Sequence, residues 1–134
     1  MSFVPYLHFN GNAREAMEFY ADVFGATDLE ISPYSEAPPE LGMPATDAVF
    51  HAQFSVNGQH LMAADAMPGA PYNPQASVSV SFSLSDVDEG QGIFENLSEG
   101  GEIVMPYAAT FFTAGFGMCK DKFGTHWMIS TMEG

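Results

Sequence analysis

A chain of 134 residues, 46% of them hydrophobic and including twelve Phe, is sized for one domain with its own core. Seventeen Asp and Glu against three basic residues, Arg14, Lys120 and Lys122, leave a net charge of -14, which excludes phosphate backbones and anionic lipid surfaces as partners. The single cysteine, Cys119, excludes an intrachain disulfide, and with an opening "MSFVPYLHFNG" that lacks a basic, then apolar leader, the expectation is a cytoplasmic protein.

"FVPYLHF" (3–9) reads as a strand. In "NGNAREAMEFYADVFG" (10–25), Ala13, Ala16, Met17, Tyr20, Val23 and Phe24 recur at helical spacing, with Asn12 as the N-cap and Gly25 as the stop. "TDLEISPYS" (27–35) is a weaker strand, and the Pro-rich "EAPPELGMPATD" (36–47) reads as a loop. "AVFHAQFSV" (48–56) and "QHLMAAD" (59–65) are strands joined by the hairpin signal Asn57-Gly58. "AMPGAPYNPQ" (66–75), with three prolines, is a linker.

The order then repeats. Ser77, Ser79, Ser81 and Ser83 alternate with Val78, Val80, Phe82 and Leu84, the period-two pattern of a half-buried strand (77–84). A helix follows from the N-cap Asp86, with Glu89 at capping-box spacing; Gly90 and Gly92 weaken it by about 1 kcal/mol each. "EIVMPYA" (102–108), "FFTAGFGMCKD" (111–121) and "THWMIST" (125–131) read as strands, with "DKFG" (121–124) as a turn. The chain therefore reads β-α-β-β-β twice, an α+β architecture with its first module at about 1–66 and its second at about 76–134.

The stretches "PYLHFNGNAREAMEFYADVFG", "HAQFSVNGQHLMAADAMPG" and "ATFFTAGFGMCKDKFGTHWMIS" resemble PhnB-like proteins of the vicinal oxygen chelate superfamily, which also holds glyoxalase I, extradiol dioxygenases and the bleomycin and fosfomycin resistance proteins. The resemblance spans nearly the whole chain. It implies one domain of two βαβββ modules whose curved sheets enclose a cavity, helices on the outer faces, and a homodimer. On that arrangement Val78, Val80, Phe82 and Leu84 face the second helix, while the serines, Ser79 and Ser81 among them, face the cavity or its mouth.

Metal-using members of the superfamily place His, Glu or Gln on the first and fourth strands of each module. Carried onto this chain, those positions fall at Pro5 or Tyr6, at Ala63 with Asp65 two residues on, at Ser79 and at Met128. None in that register supplies imidazole or carboxylate, and Ser and Met are poor ligands for such ions, so no metal and no cofactor is expected. His8 alternates with Leu7 and Phe9 and faces the cavity if those two are core. His51 is set opposite Phe50, Ala52 and Phe54, with Gln53 and Val49 on its own face. His8, His51 and Asp65 could thus converge as a relocated metal site, or serve as hydrogen-bonding residues of a ligand pocket.

Of the remaining candidates, His60 reads as exposed, His126 as a surface residue, and Trp127 and Ile129 as core. Phe112, with Phe111 and Phe116, could cover a flat ligand or equally pack in the core. Cys119 lies beside Lys120, which could activate a thiol, but packing is the plainer role. No GxGxxG motif opens a helix after a strand, so no dinucleotide or S-adenosylmethionine loop of that type is visible. Two functions stand side by side: a metal-independent small-molecule binder of the resistance or sequestration kind, with ligand contacts from His8, His51, Gln53, Asp65, Ser79, Ser81, Phe112 and Met128, and a glyoxalase-like lyase, isomerase or dioxygenase with a relocated metal. The acidic charge and scarcity of cationic side chains favour a neutral or cationic ligand.

Overall fold

The computed structural model describes residues 2–42, 46–67 and 69–132. The chain divides into two compact units, Met1–Pro74 and Gln75–Gly134, and each is a β-α-β-β-β module. In the first, β1 (Tyr6–Phe9), α1 (Ala13–Phe24), β2 (Glu30–Pro33), β3 (Val49–Val56) and β4 (Gln59–Asp65) form a sheet of order β1-β4-β3-β2. In the second, β5 (Val80–Leu84), α2 (Val87–Ser98), β6 (Glu102–Ala108), β7 (Gly115–Lys120) and β8 (His126–Thr131) form a sheet of order β5-β8-β7-β6. The first and fourth strands of each module pair in parallel and the other pairs are antiparallel.

Each helix covers one face of its own sheet. Ala13, Ala16, Met17, Tyr20 and Ala21 of α1 are buried, and so are Leu7, Phe9, Val49, Ala52, Phe54, Leu61 and Ala63 beneath them. Gly90, Ile93, Phe94 and Leu97 of α2 lie over Cys119, Trp127, Ile129 and Thr131 in the same way. Asn57 and Gly58 both take positive φ, 52° and 77°, the geometry of a two-residue hairpin turn that matches strand twist. The loop after β2 contains two short 3-10 turns, Tyr34–Glu36 and Pro39–Leu41. Residues 43–45 of the expected loop 36–47 and residue 68 of the expected linker lie outside the described residues.

Four strand starts fall three or more residues later than the sequence reading, among them that of β2, at Glu30 instead of residue 27. β1 begins at Tyr6, after Pro5, which has no N–H to give to a ladder. β5 begins at Val80 because Ser77 adopts a left-handed φ of 59°, which breaks the serine alternation. β7 begins at Gly115, since the Thr110 hydroxyl accepts the N–H of Phe112 (3.2 Å) and of Thr113 (3.0 Å) and closes a turn. Phe112 therefore sits in a turn, 53% exposed, with its ring edge-on to Phe116.

Helix α2 is capped as expected: Asp86 Oδ1 accepts the Glu89 N–H at 3.0 Å. Helix α1 is not capped by the Asn12 side chain, which makes no capping bond. Asp65 takes that role from the end of β4. Its Oδ1 accepts from the N–H groups of Gly11 (2.8 Å) and Ala13 (2.9 Å), and its Oδ2 from the N–H of Val49 (2.8 Å).

Candidate functional site

The site grows from the parity of β1, β3 and β4. Paired residues in a sheet share a face. Leu7 pairs with Ala63 and Phe9 with Asp65, all on the helix side, so Tyr6, His8, Met62 and Ala64 occupy the helix-free face. On β3 the pairing with β2 slips between Ser32 and Pro33, which stand opposite His51 and Val49 and leave Phe50 as an extra residue. This bulge reverses the alternation. Val49, 1% exposed, points to the helix side, while Phe50 joins His51 and Gln53 on the free face. The expected grouping of His51 with Val49 and against Phe50 is corrected accordingly.

A cavity of about 400 Å³ opens on this face, lined by Tyr6, His8, Tyr34, Phe50, Ala64 and Met67. That volume suits a small organic ligand. Tyr6 lies 5.3 Å from His8 and 5.7 Å from His51, ring centre to ring centre. Phe50 meets Tyr34 edge-on at 5.4 Å, the arrangement the ring quadrupoles favour. Tyr6 Oη stands 2.9 Å from His51 Nδ1, and His51 Nε2 stands 3.0 Å from Gln53 Oε1. His8, His51 and Gln53 thus share one face, and Tyr6 lies on it with them. Burial raises the Tyr6 hydroxyl above its ordinary pKa, with a smaller push from Tyr34. Tyr34 is raised by its own burial and then by Asp65. Both phenols keep their protons at neutral pH.

Asp65 does not join the two imidazoles. It borders the cavity, but it is 3% exposed and its carboxylate is spent on three backbone N–H groups on the helix side, while its carbonyl accepts from Tyr34 Oη at 3.0 Å. Ala63 is fully buried on that same side. Beside His8, β4 presents Met62 and Ala64 to the free face, neither of them a ligand for a divalent ion, while its His60 lies at the far end of the strand, paired with Ser55. Among the described residues, no group of three or more His, Cys, Asp or Glu side chains converges. A relocated site built from His8, His51 and Asp65 is therefore not assembled in this fold.

In the second unit, Ser81 pairs with Met128 and Ser83 with Ser130 on the face away from α2. Ser83 Oγ lies 2.9 Å from Ser130 Oγ. Ser81 is exposed and Ser79, just ahead of the strand, half-buried. His126 shares this face and is half-buried, whereas Trp127 and Ile129 are core, as expected. Trp127 Nε1 donates to Asp121 Oδ2 at 2.8 Å, and Asp121 Oδ1 accepts the N–H groups of Phe123 and Thr125 to shape the 121–124 turn. Cys119 is buried on the helix side, and burial is the main cause that raises its thiol pKa, the opposite of what an activated nucleophile needs.

With the geometry in place, comparison with known proteins decides the family. A family model described as 3-demethylubiquinone-9 3-methyltransferase matches residues 1–130. The chain belongs to this PhnB-like family. Protein YjdN of Escherichia coli (strain K12) is 33% identical over 143 residues, covering 99% of this chain and 97% of its own. The crystal structure of protein PA1353 from Pseudomonas aeruginosa superposes with a TM-score of 0.91 at 38% identity, covering 100% of this chain and 99% of that one. A PhnB protein from Bacillus cereus gives 0.73 at 29% identity, covering 98% and 99%. A glyoxylase/bleomycin resistance protein/dioxygenase domain from Frankia sp. EAN1pec shares the fold, with a TM-score of 0.68 at 12% identity over 99% and 98%. The PhnB-like match covers both modules and carries the glyoxalase/bleomycin resistance fold with it.

Tyr34, Phe50, Ala64 and Met67 were missed as lining residues in the sequence reading, which weighed Tyr6 only as a metal position. The signal for Phe50 and Tyr34 was thin: "PYSE" and "AVFH" carry no mark of a bulge. Ala64 carried no signal either, because "LMAAD" is apolar at both parities and only the pairing with β1 shows that Ala63 is buried and Ala64 turned the other way.

Proposed function

We propose that the protein is a metal-independent small-molecule-binding protein of the resistance or sequestration kind, and that its ligand sits on the helix-free face of β1, β4 and β3. The observation that carries this reading is the donor set around the 400 Å³ cavity: two phenols, imidazole, a phenyl ring, alanine and thioether, with the nearby carboxylate of Asp65 consumed by backbone amides. Such a lining binds a flat, partly apolar molecule through ring contacts and a few hydrogen bonds. Ser79, Ser81, Phe112 and Met128 belong to the second unit and are proposed as further ligand contacts there.

The methyltransferase of the family description draws no support from the β1–α1 turn. Its Gly11 and Ala13 N–H groups, the donors that would hold an anionic cofactor group at a helix start, are already bound by Asp65. A homodimer fits the edge strand β6, which leaves Ile103, Val104 and Met105 exposed, an apolar edge of the kind that natural proteins cover. Among the described residues, no helix is long and apolar enough to cross a membrane.

Native mass spectrometry with elemental analysis of the purified protein tests the reading. The expected result is a dimer mass, no stoichiometric zinc, nickel, iron or manganese, and retention of neutral or cationic small molecules. One tightly bound ion per chain, lost in His8→Ala or His51→Ala, would replace it with the enzymatic reading.

A further inference from the structure

The hydrogen-bond chain behind the cavity fixes more than geometry. Gln53 Oε1 is a carbonyl oxygen and can only accept, so His51 Nε2, 3.0 Å away, carries the proton. In the neutral imidazole, Nδ1 is then the bare nitrogen. It faces Tyr6 Oη at 2.9 Å and can only accept, so Tyr6 donates its single proton to His51. What Tyr6 has left to offer the cavity it lines is its oxygen lone pairs. A ligand that needs a donor finds none on Tyr6, while a ligand that brings one is received.

We propose that this cavity selects aromatic ligands that present an N–H donor to Tyr6 Oη, and that Gln53, through the tautomer it imposes on His51, is the positioning residue for that choice. The inference rests on the ligand-binding reading above. The charge surroundings agree with it. Around His51 on this face stand Tyr6 and His8 from β1, Glu30 and Ser32 from β2 by their pairing with Gln53 and His51, and Tyr34 from the turn that follows. From β4 come Met62 and Ala64, with His60 near that strand's start. Of the carboxylates here, Glu30 favours a donor, while Asp65 at the cavity's border is taken up by backbone N–H groups, and no Lys or Arg stands among these residues to favour an acceptor. Protonation of His51 places a second N–H on Nδ1. Tyr6 must then accept from His51 and turn its own proton toward the cavity, which inverts the preference.

Two shape-matched probes that do not titrate between pH 5 and 8 separate the outcomes: indole, with an N–H, and benzofuran, with an ether oxygen in its place. Imidazole 15N–1H correlation spectra of the labelled protein are expected to show His51 as the Nε2–H tautomer at pH 8. Indole is expected to bind about tenfold more tightly than benzofuran, the value of one hydrogen bond. That ratio should fall toward one in Tyr6→Phe, a change at a 42% exposed position that spares the core. An Nδ1–H tautomer, equal binding of the two probes, or a ratio unchanged in Tyr6→Phe would each overturn the donor rule while leaving the cavity a binding site. If neither probe shifts any resonance of the first unit, the binding reading falls and the inference with it.

Discussion

Asp65 shows how far one side chain can serve a fold rather than a site. Its two oxygens accept three backbone N–H groups from the β1–α1 turn, the first residue of α1 and the start of β3. Removing it leaves three donors without that partner; the buried N–H groups of Ala13 and Val49 cost about 1–3 kcal/mol each, while that of exposed Gly11 can turn to water. Asp65→Ala is therefore expected to lose about 3–5 kcal/mol of stability by urea unfolding, with faster amide exchange at Gly11, Ala13 and Val49. Asp65→Asn keeps the acceptor for Gly11 and Ala13 but sets an NH₂ against the Val49 N–H, and should lose about 2 kcal/mol. A midpoint for Asp65→Ala near that of the wild type would show that the carboxylate is dispensable to the fold. The sequence hid this role for a physical reason. In "LMAAD" residues of both parities are apolar, so the strand does not declare which face is core. Only the parallel pairing with β1 does, and that is a tertiary fact.

At the level of elements, the repeat is better preserved in close contacts than in residue identity. The fourth residue of each helix is small, Ala16 in α1 and Gly90 in α2, and both are buried. After each module's last strand the chain returns to its first: Ala66 N–H donates to Phe9 O and Met132 N–H to Leu84 O. A tyrosine closes each module near this point, Tyr34 on the Asp65 carbonyl and Tyr107 on the Val87 carbonyl and the Thr131 hydroxyl. The two helix glycines of α2, read alike from the sequence as weaknesses, separate here. A Cβ on Gly90 would come within 2.6 Å of Thr131 Oγ1 and 2.7 Å of Tyr107 Oη, whereas one on Gly92 meets nothing within 4 Å. Gly92→Ala is expected to stabilise by up to about 1 kcal/mol through helix propensity. Gly90→Ala is expected to destabilise by about 1–3 kcal/mol, because overpacking outweighs that gain. Thermal denaturation of the two variants decides it, and stabilisation by both would mean that α2 shifts to admit the methyl group. Element order, the Asn57-Gly58 hairpin and the α2 cap were legible because each rests on a local signal. The bulge at Phe50, the left-handed turn at Ser77 and the Thr110 turn ahead of β7 were not, since ordinary residues adopt those conformations only where the surrounding structure requires them.

For the whole molecule the dominant fact is the net charge of -14 carried by 134 residues. Folding brings those carboxylates closer together than they are in the unfolded chain, so self-repulsion subtracts from stability. With only Arg14, Lys120 and Lys122 as basic residues, little of that repulsion can be offset by ion pairs. Dissolved salt should do it instead. The Debye length falls from about 30 Å at 0.01 M to about 8 Å at 0.15 M, a span that passes from wider than a small domain's radius to the spacing of neighbouring surface charges. The melting temperature is therefore expected to rise by about 3–8 °C over that range, the equivalent of about 1–2 kcal/mol, with most of the rise complete by physiological ionic strength. Screening depends on ionic strength alone, so sodium, potassium and choline chlorides should act alike. A rise confined to one cation would point to a specific cation site. A melting temperature that stays flat to 0.15 M and climbs only above 0.5 M would point to salt exclusion from the surface, and would mean that the acidic surface costs the fold little. The same field acts on ligands before they reach the cavity, slowing anions and drawing in cations, so the association rate of a cationic probe should fall with salt while that of indole stays constant.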